Sequence, residues 1–214
     1  MQIKRNLSKI EMSGPDINLG DIKYISKFMQ DGWVGKKKYY YVEKFENDFA
    51  KFHNRKYGLM TPNCTTAIHL ILHALKINPK NNVINQECTW SASAAAVKYT
   101  GADNNFVDID ENNWCISPES IKKSINSNTA AIISTNIYGN MPNYDEISKI
   151  CKKNKIPLIE DAAESLGSLY KGKRAGSFGI ASVFSFHRTK TITSGEGGVL
   201  VTNKKKLFEK CYLL

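Results

Sequence analysis

Short apolar runs alternate with amphipathic stretches along the chain from about residue 56 onward. The runs have the length of buried β-strands, whereas the stretches between them repeat apolar residues three or four positions apart, as helices do. This alternation predicts an α/β fold: a mostly parallel mixed sheet sandwiched by helices. The predicted strands cover residues 56–61, 82–84, 106–109, 130–133, 156–159, 182–186 and 198–201. The predicted helices cover residues 65–75, 90–99, 117 onward, 144–153 and 204 onward.

Two parts are expected along the chain, a helical lead over residues 1–30 and one large domain over residues 31–214. The lead carries a helical pattern over residues 19–29, and no internal repeat or linker divides the domain. The segment 204–214 predicts the opening of a helix whose apolar side chains have no later sequence to pack against. We therefore expect the large domain to be incomplete at its C-terminal end.

Composition and charge narrow the classes of function. The net charge is +10, but few of the basic residues are arginine and no nucleic-acid reading element concentrates them, so we expect no nucleic-acid partner. The charge fits either attraction of phosphorylated ligands or a compositional bias without functional meaning. No apolar run is long enough to span a bilayer, and no secretory signal is visible. The five scattered cysteines favour reduced thiols and thus a cytoplasmic protein.

The most informative stretch is S-F-H-R-T-K-T-I-T-S-G-E-G-G at residues 185–198, in which a predicted strand ends and Lys190 follows in a polar loop. Open α/β sheets bind ligands at the carboxyl ends of their strands. A lysine held there and partly desolvated becomes nucleophilic toward an aldehyde. Taken alone, Lys190 fits an ordinary surface lysine better.

A carboxylate in a second stretch favours a functional interpretation of Lys190 over that of a surface lysine. Asp161 lies just past the apolar run 157–159, where it can face the ring nitrogen of pyridoxal phosphate (PLP) and keep that nitrogen protonated. The small residues Ala162 and Ala163 would let a ring lie close to the backbone. By itself this stretch fits a helix cap, but its pairing with the downstream lysine favours a cofactor site.

Two weaker signals follow other predicted strands. T-P-N-C-T-T-A at residues 61–67 opens a helix with small polar residues, whose free amides, together with the hydroxyl of Thr65 or Thr66, can bind a phosphate. Trp90 stands at the start of the next helix, where it fits either stacking on a pyridine ring or ordinary core packing.

These four stretches, in this order, resemble the DegT/DnrJ/StrS sugar aminotransferases, which have the fold of aspartate aminotransferase. The resemblance runs from about Gly14 to the end of the chain, and its most specific part combines A-A-E-S-L-G-S at 162–168 with S-F-H-R-T-K-T at 185–191. That combination looks most like the branch that aminates GDP-4-keto-6-deoxymannose. Further matching segments are G-P-D-I at 14–17, D-G-W-V-G at 31–35, F-E-N-D-F-A at 45–50, I-Y-G-N at 137–140 and Y-K-G-K-R-A-G-S-F-G at 170–179.

The resemblance implies a PLP enzyme that moves the amino group of glutamate to a nucleotide-linked keto sugar. It implies Lys190 as the Schiff-base lysine and proton shuttle, Asp161 as the partner of the ring nitrogen, and Glu164 as a neighbour of the ring hydroxyl. Trp90 would stack on the ring, and the phosphate would lie against Cys64, Thr65 and Ser185. No role follows for His187. Relatives in this family are homodimers with shared active sites.

Three departures from the family pattern bear on these roles. Cys64 stands where relatives commonly have glycine, and Asn136 stands where they commonly have histidine. Relatives also continue into a small C-terminal domain that completes the substrate site. A non-catalytic fragment that folds partly or associates with a full-length relative therefore stays open as an alternative. We expect the 214-residue chain alone to bind PLP weakly or not at all and not to transaminate. His69 and His73 have the spacing of zinc ligands but no third ligand, so we expect no metal.

Overall fold

A computed structural model describes residues 14–31 and 39–214 of the chain. The segment D-G-W-V-G at 31–35 lies almost wholly outside these residues, as does the first part of the predicted helical lead. In the described part a seven-stranded sheet forms, with the order β1-β9-β8-β5-β4-β2-β3. Its strands are β1 (Tyr57–Thr61), β2 (Asn82–Gln86), β3 (Asp103–Val107), β4 (Thr129–Thr135), β5 (Leu158–Asp161), β8 (Ala181–Ser185) and β9 (Gly198–Thr202).

Strand β9 runs antiparallel to both of its neighbours, β1 and β8, and the remaining strand pairs are parallel. A separate antiparallel hairpin joins β6 (Leu169–Tyr170) to β7 (Lys173–Arg174). The mostly parallel mixed sheet predicted from the apolar runs is thus confirmed. The helices of the described part are α1 (Leu19–Asp31), α2 (Tyr40–Phe52), α3 (Cys64–Ala74), α4 (Ala92–Tyr99), α5 (Pro118–Ser124), α6 (Tyr144–Asn154) and α7 (Lys205–Tyr212).

Helices cover both faces of the sheet. One face carries Ile133, Ile159 and Val183, which share a core with apolar residues of α3, α4 and α7. On the opposite face one core packs under α5 and α6, and another packs Phe184 against Phe49 of α2. Alternate residues of one strand therefore point to different helix layers, as the pleat of a strand requires.

Local sequence explains where several helices begin. The side chain of Asn63 caps α3 by accepting from the Thr66 amide at 2.8 Å. Ser117 caps α5 in the same way, and Pro118 occupies the first turn, as predicted. Asn143 caps α6, which ends at Lys155 in the left-handed region with φ 56°.

Besides shifts of one or two residues at element ends, the structure differs from the predicted elements at β3, at α2 and at the β6–β7 hairpin, which the apolar pattern does not predict. Strand β3 begins at Asp103 rather than at 106. The apolar pattern misses the first residues of this edge strand because Asn104 and Asn105 are polar. Their side chains bond to Asn85 and to the Ser124 carbonyl, respectively. Helix α2 was not predicted, although it buries Phe49 against the sheet. No helix in the described ranges is long and apolar enough to cross a membrane.

Candidate active site

The carboxyl ends of the parallel strands bring the predicted site residues to one edge of the sheet. Asp161 is the last residue of β5, and the Lys190 loop follows β8, which pairs with β5. Helix α3 begins just after β1, and Trp90 follows β2. Such an edge is where open α/β sheets bind their ligands.

Asp161 is a buried carboxylate held by several donors. Ser93 Oγ donates to its Oδ2 at 2.8 Å, and the Ala163 amide donates to its Oδ1 at 3.1 Å. Burial raises the pKa of Asp161, whereas these two hydrogen bonds and the nearby Lys190 ammonium oppose that rise. A carboxylate has lone pairs for about four hydrogen bonds, so Asp161 keeps acceptor capacity for a further N–H group.

Cys64 lies beside Asp161, with its Sγ 4.0 Å from the carboxylate Oδ1. Burial and then the charge of Asp161 raise the pKa of this thiol well above its ordinary value. The thiol is therefore protonated at neutral pH and is a weak donor toward the carboxylate, not a nucleophile.

Lys190 lies opposite Glu164, with Nζ 3.1 Å from Oε1 and both side chains mostly buried. The second oxygen of Glu164 accepts from the Tyr138 amide at 2.9 Å, so this carboxylate joins two loops. Tyr138 has φ 50°, an uncommon conformation for a residue with a side chain. His187 belongs to the same loop as Lys190 and bonds to Thr189 Oγ1 at 3.0 Å, which shapes the loop rather than the chemistry.

The first turn of α3 offers amides to an anion. The Cys64 and Thr65 amides have no acceptor within the described ranges, whereas the amide and hydroxyl of Thr66 are both bonded to Asn63. Of the two hydroxyls considered from the sequence, Thr65 is thus the available one. Gly198 lies so close to this turn that an added Cβ would be 2.6 Å from the Cys64 nitrogen.

Ser185 and Trp90 complete the set of predicted residues. Ser185 pairs with Gly198 across the β8–β9 ladder, and it shares a sheet face with Val183, the face that α3 covers. Trp90 is 78% exposed, so core packing does not explain this residue and its ring is free to stack on a ligand. The structure therefore gathers a lysine, a buried carboxylate, free helix amides and an exposed aromatic ring at one edge, a donor set that fits PLP.

Sequence reasoning missed Ser93 and the environment of Asn136. Ser93 is fully buried on α4 and reaches Asp161 across 68 positions of the chain, with no local signal. Asn136 follows β4, and its side chain bonds to Glu160 and Ser165. The rings of His69 and His73 lie 6.3 Å apart, and no group of potential metal ligands forms in the part of the chain that the structure describes.

Comparison with known proteins now identifies the family. The sequence profile of the DegT/DnrJ/EryC1/StrS aminotransferase family matches residues 15–214. The chain belongs to this family. It is 40% identical over 197 residues to GDP-perosamine synthase of Escherichia coli O157:H7, a match that covers 92% of this chain and 54% of the relative.

The chain is also similar to a transaminase that is named for a different sugar and to a solved sugar aminotransferase structure. UDP-4-amino-4,6-dideoxy-N-acetyl-beta-L-altrosamine transaminase of Campylobacter jejuni is 37% identical over 210 residues, covering 96% of this chain and 54% of the relative. The PLP form of the putative sugar aminotransferase Spr1654 from Streptococcus pneumoniae superposes with a TM-score of 0.86 at 25% identity, over 96% of this chain and 57% of that one. The chain thus spans about half the length of the relatives it matches.

Proposed function

We propose that this chain forms the PLP-binding large domain, over residues 31–214, of an aminotransferase acting on a nucleotide-linked 4-keto-6-deoxy sugar, with glutamate as amino donor. The observation that carries the proposal is the convergence of the Lys190–Glu164 pair and buried Asp161 beside the free amides of α3. Ordinary surface lysines have no buried carboxylate behind them. The helical lead over residues 1–30 would pack on this domain.

Different residues would bind the phosphate, the ring nitrogen and the ring face of PLP. The Cys64 and Thr65 amides, the Thr65 hydroxyl and Ser185 would hold the phosphate, because a helix N-terminus favours an anion. Asp161 would hold a proton at the ring nitrogen, and Trp90 would stack on the ring face. When bound, PLP supplies an aldehyde for a lysine amine and a ring that accepts electrons.

Lys190 would be the residue that moves protons. Its amine would form the covalent link to the cofactor and would carry a proton to and from the reacting carbon of the substrate. Glu164 orients this amine through the 3.1 Å contact, and it would lie beside the ring hydroxyl. Burial of Asp161 behind the ring position excludes water from that side of the site.

For the sugar, we infer a GDP-linked substrate, as for GDP-perosamine synthase, and thus a role in building surface polysaccharide sugars. The support is the 40% identity to the Escherichia coli relative and the A-A-E-S-L-G-S and S-F-H-R-T-K-T segments. The Campylobacter relative is named for a UDP-linked sugar, so a UDP-linked sugar is the competing substrate. Assays with both nucleotide sugars would distinguish them.

We also propose that the protein works as a homodimer in the cytoplasm. Helix α1 buries none of its side chains, and with α2 and the Lys190 loop it forms an apolar groove of roughly 300 Å³. Exposed apolar surface of this kind is typical of an association face. Ile192 lines the groove two residues after Lys190, so an occupant of the groove would reach the site.

The experiment that tests the proposal is a PLP titration followed by absorbance in the near-visible range. Borohydride should fix the cofactor on a single peptide that contains Lys190, and Lys190→Ala should abolish the absorbance band. Lys210→Ala is the matched control, since Lys210 lies on α7 and donates to the Ala74 carbonyl at 3.3 Å. Labelling spread over many lysines, or an unchanged band in Lys190→Ala, would contradict the proposed site.

A further inference from the structure

Asn136 is a buried residue whose backbone amide and side-chain polar groups are all hydrogen-bonded. Its backbone amide donates to the Asp161 carbonyl at 2.9 Å, and its Oδ1 accepts from Tyr144 at 2.6 Å. Its Nδ2 donates to Glu160 Oε1 and to Ser165 Oγ, each at 2.9 Å. One side chain thus connects the end of β5 with the turn that follows it.

That turn carries the carboxylate that contacts Lys190. The Ser165 amide closes the turn on the Ala162 carbonyl at 3.2 Å, and Glu164 is the residue immediately before Ser165. Glu164 reaches Lys190 with one oxygen and the Tyr138 amide with the other. Hydrogen bonds therefore join the segments 136–138 and 160–165 at two places. One is the buried side chain of Asn136, and the other is the contact between Glu164 and the Tyr138 amide at the candidate site.

We propose that Asn136 is a positioning residue: through Ser165 it fixes the turn that presents Glu164 to Lys190. The proposal deepens the proposed function and rests on it for its meaning. The contact from Asn136 to Ser165 is fully buried, whereas the contact from Glu164 to Lys190 is partly exposed. The hydrogen bond between Asn136 and Ser165 is thus shielded from water better than the contact between Glu164 and Lys190. It sets where that contact can form.

A carboxamide matches every partner of this side chain. Its two N–H groups face a carboxylate and a hydroxyl, and its oxygen faces the Tyr144 hydroxyl. A carboxylate at position 136 would face Glu160 with like charge. An apolar side chain would leave Glu160, Ser165 and Tyr144 each short of a partner in the interior.

The experiment measures how fast Lys190 reacts with limiting acetic anhydride in the cofactor-free chain, by peptide mass spectrometry with Lys210 as internal reference. Ser165→Ala removes the link from Asn136 to the turn and should raise the relative labelling of Lys190 about two- to fivefold, because its ion pair loosens. Ser182→Ala is the matched control. Ser182 is equally buried and donates to Glu160 at 2.8 Å, yet it has no bond to the turn, so Lys190 labelling should not change.

A second background separates positioning from general loosening of the fold. If Asn136 acts through Glu164, then in Glu164→Gln the further change Ser165→Ala should add no labelling of Lys190. Asn136→Ala should give the same rise as Ser165→Ala, and if it does not fold, Ser165→Ala alone decides. Unchanged labelling in folded Ser165→Ala, an equal rise in Ser182→Ala, or an additive rise in Glu164→Gln would overturn the proposal. PLP absorbance of the unaltered chain tests the proposed function separately.

Discussion

Gly198 is expected to control both the packing of α3 and the binding of the phosphate. A methyl group at this position would lie 2.5 Å from the Asn63 carbonyl carbon and 2.6 Å from the Cys64 nitrogen. Ordinary contacts begin at 3.4 Å, so the start of α3 would have to move away from β9 by about 0.9 Å, the difference between 3.4 Å and 2.5 Å. The obstacle is backbone on both sides, and no side chain rotation relieves it.

The magnitudes follow from the two consequences of that shift. Overpacking of this kind costs about 1–3 kcal/mol in the free energy of unfolding of Gly198→Ala. Displacing one amide from a phosphate loses a charge-assisted hydrogen bond of roughly 1.5–3 kcal/mol, which lowers PLP affinity about tenfold to a hundredfold. Urea unfolding measures the first effect, and PLP titration of the folded variant measures the second.

Gly58→Ala provides a matched control at the other side of the sheet. Its added Cβ would lie 2.5 Å from the Glu46 carbonyl oxygen in α2, so it should lower stability in the same way. Since the atoms nearest to this added Cβ belong to α2 and not to α3, the folded molecules should bind PLP like the unaltered chain. Equal affinities for Gly198→Ala and the unaltered chain, or an equal loss in Gly58→Ala, would refute the assignment of the phosphate to the α3 amides.

Two further predictions concern buried titratable groups. Asp161→Asn should raise the free energy of unfolding of the cofactor-free chain at pH 7, because burial raises the pKa of Asp161 and its charged form opposes folding above that pKa. The same change should weaken PLP binding by the chain and should remove turnover in a full-length relative. Lower stability in Asp161→Asn would contradict this account. Burial lowers the pKa of His53 from 6.5 to about 4. Between these pH values the unfolded chain therefore binds one proton more than the folded chain. The free energy of unfolding falls as the pH falls, by about 3 kcal/mol in total. Urea unfolding at pH 7 and pH 5 should show that this loss of stability is smaller in His53→Gln. His73→Gln, a change at an exposed histidine, is the control and should keep the full loss. Equal pH dependence in both variants would count against the role of His53.

The local part of this architecture is readable in the sequence. Strands buried on both faces need continuous apolar runs, and the run around 130–133 lies within β4. Asp161 could be singled out because it ends the strand that such a run predicts, and Lys190 because it lies in the polar loop after another; strand ends meet at one edge of a parallel sheet. The edge strand β3 was misplaced because an edge strand needs less apolar surface, so its pattern is weak.

What only the tertiary structure decided is which side chains meet across long distances in the chain. Ser93 lies 68 positions from Asp161, and Asn136 lies 29 positions from Ser165, so no periodicity connects either pair. The family resemblance already favoured Thr65 over Thr66, and the structure adds a physical reason, because Asn63 takes both polar groups of Thr66. Hydrogen bonds are short-ranged and directional, so the chain can encode them only through the fold that brings their partners together.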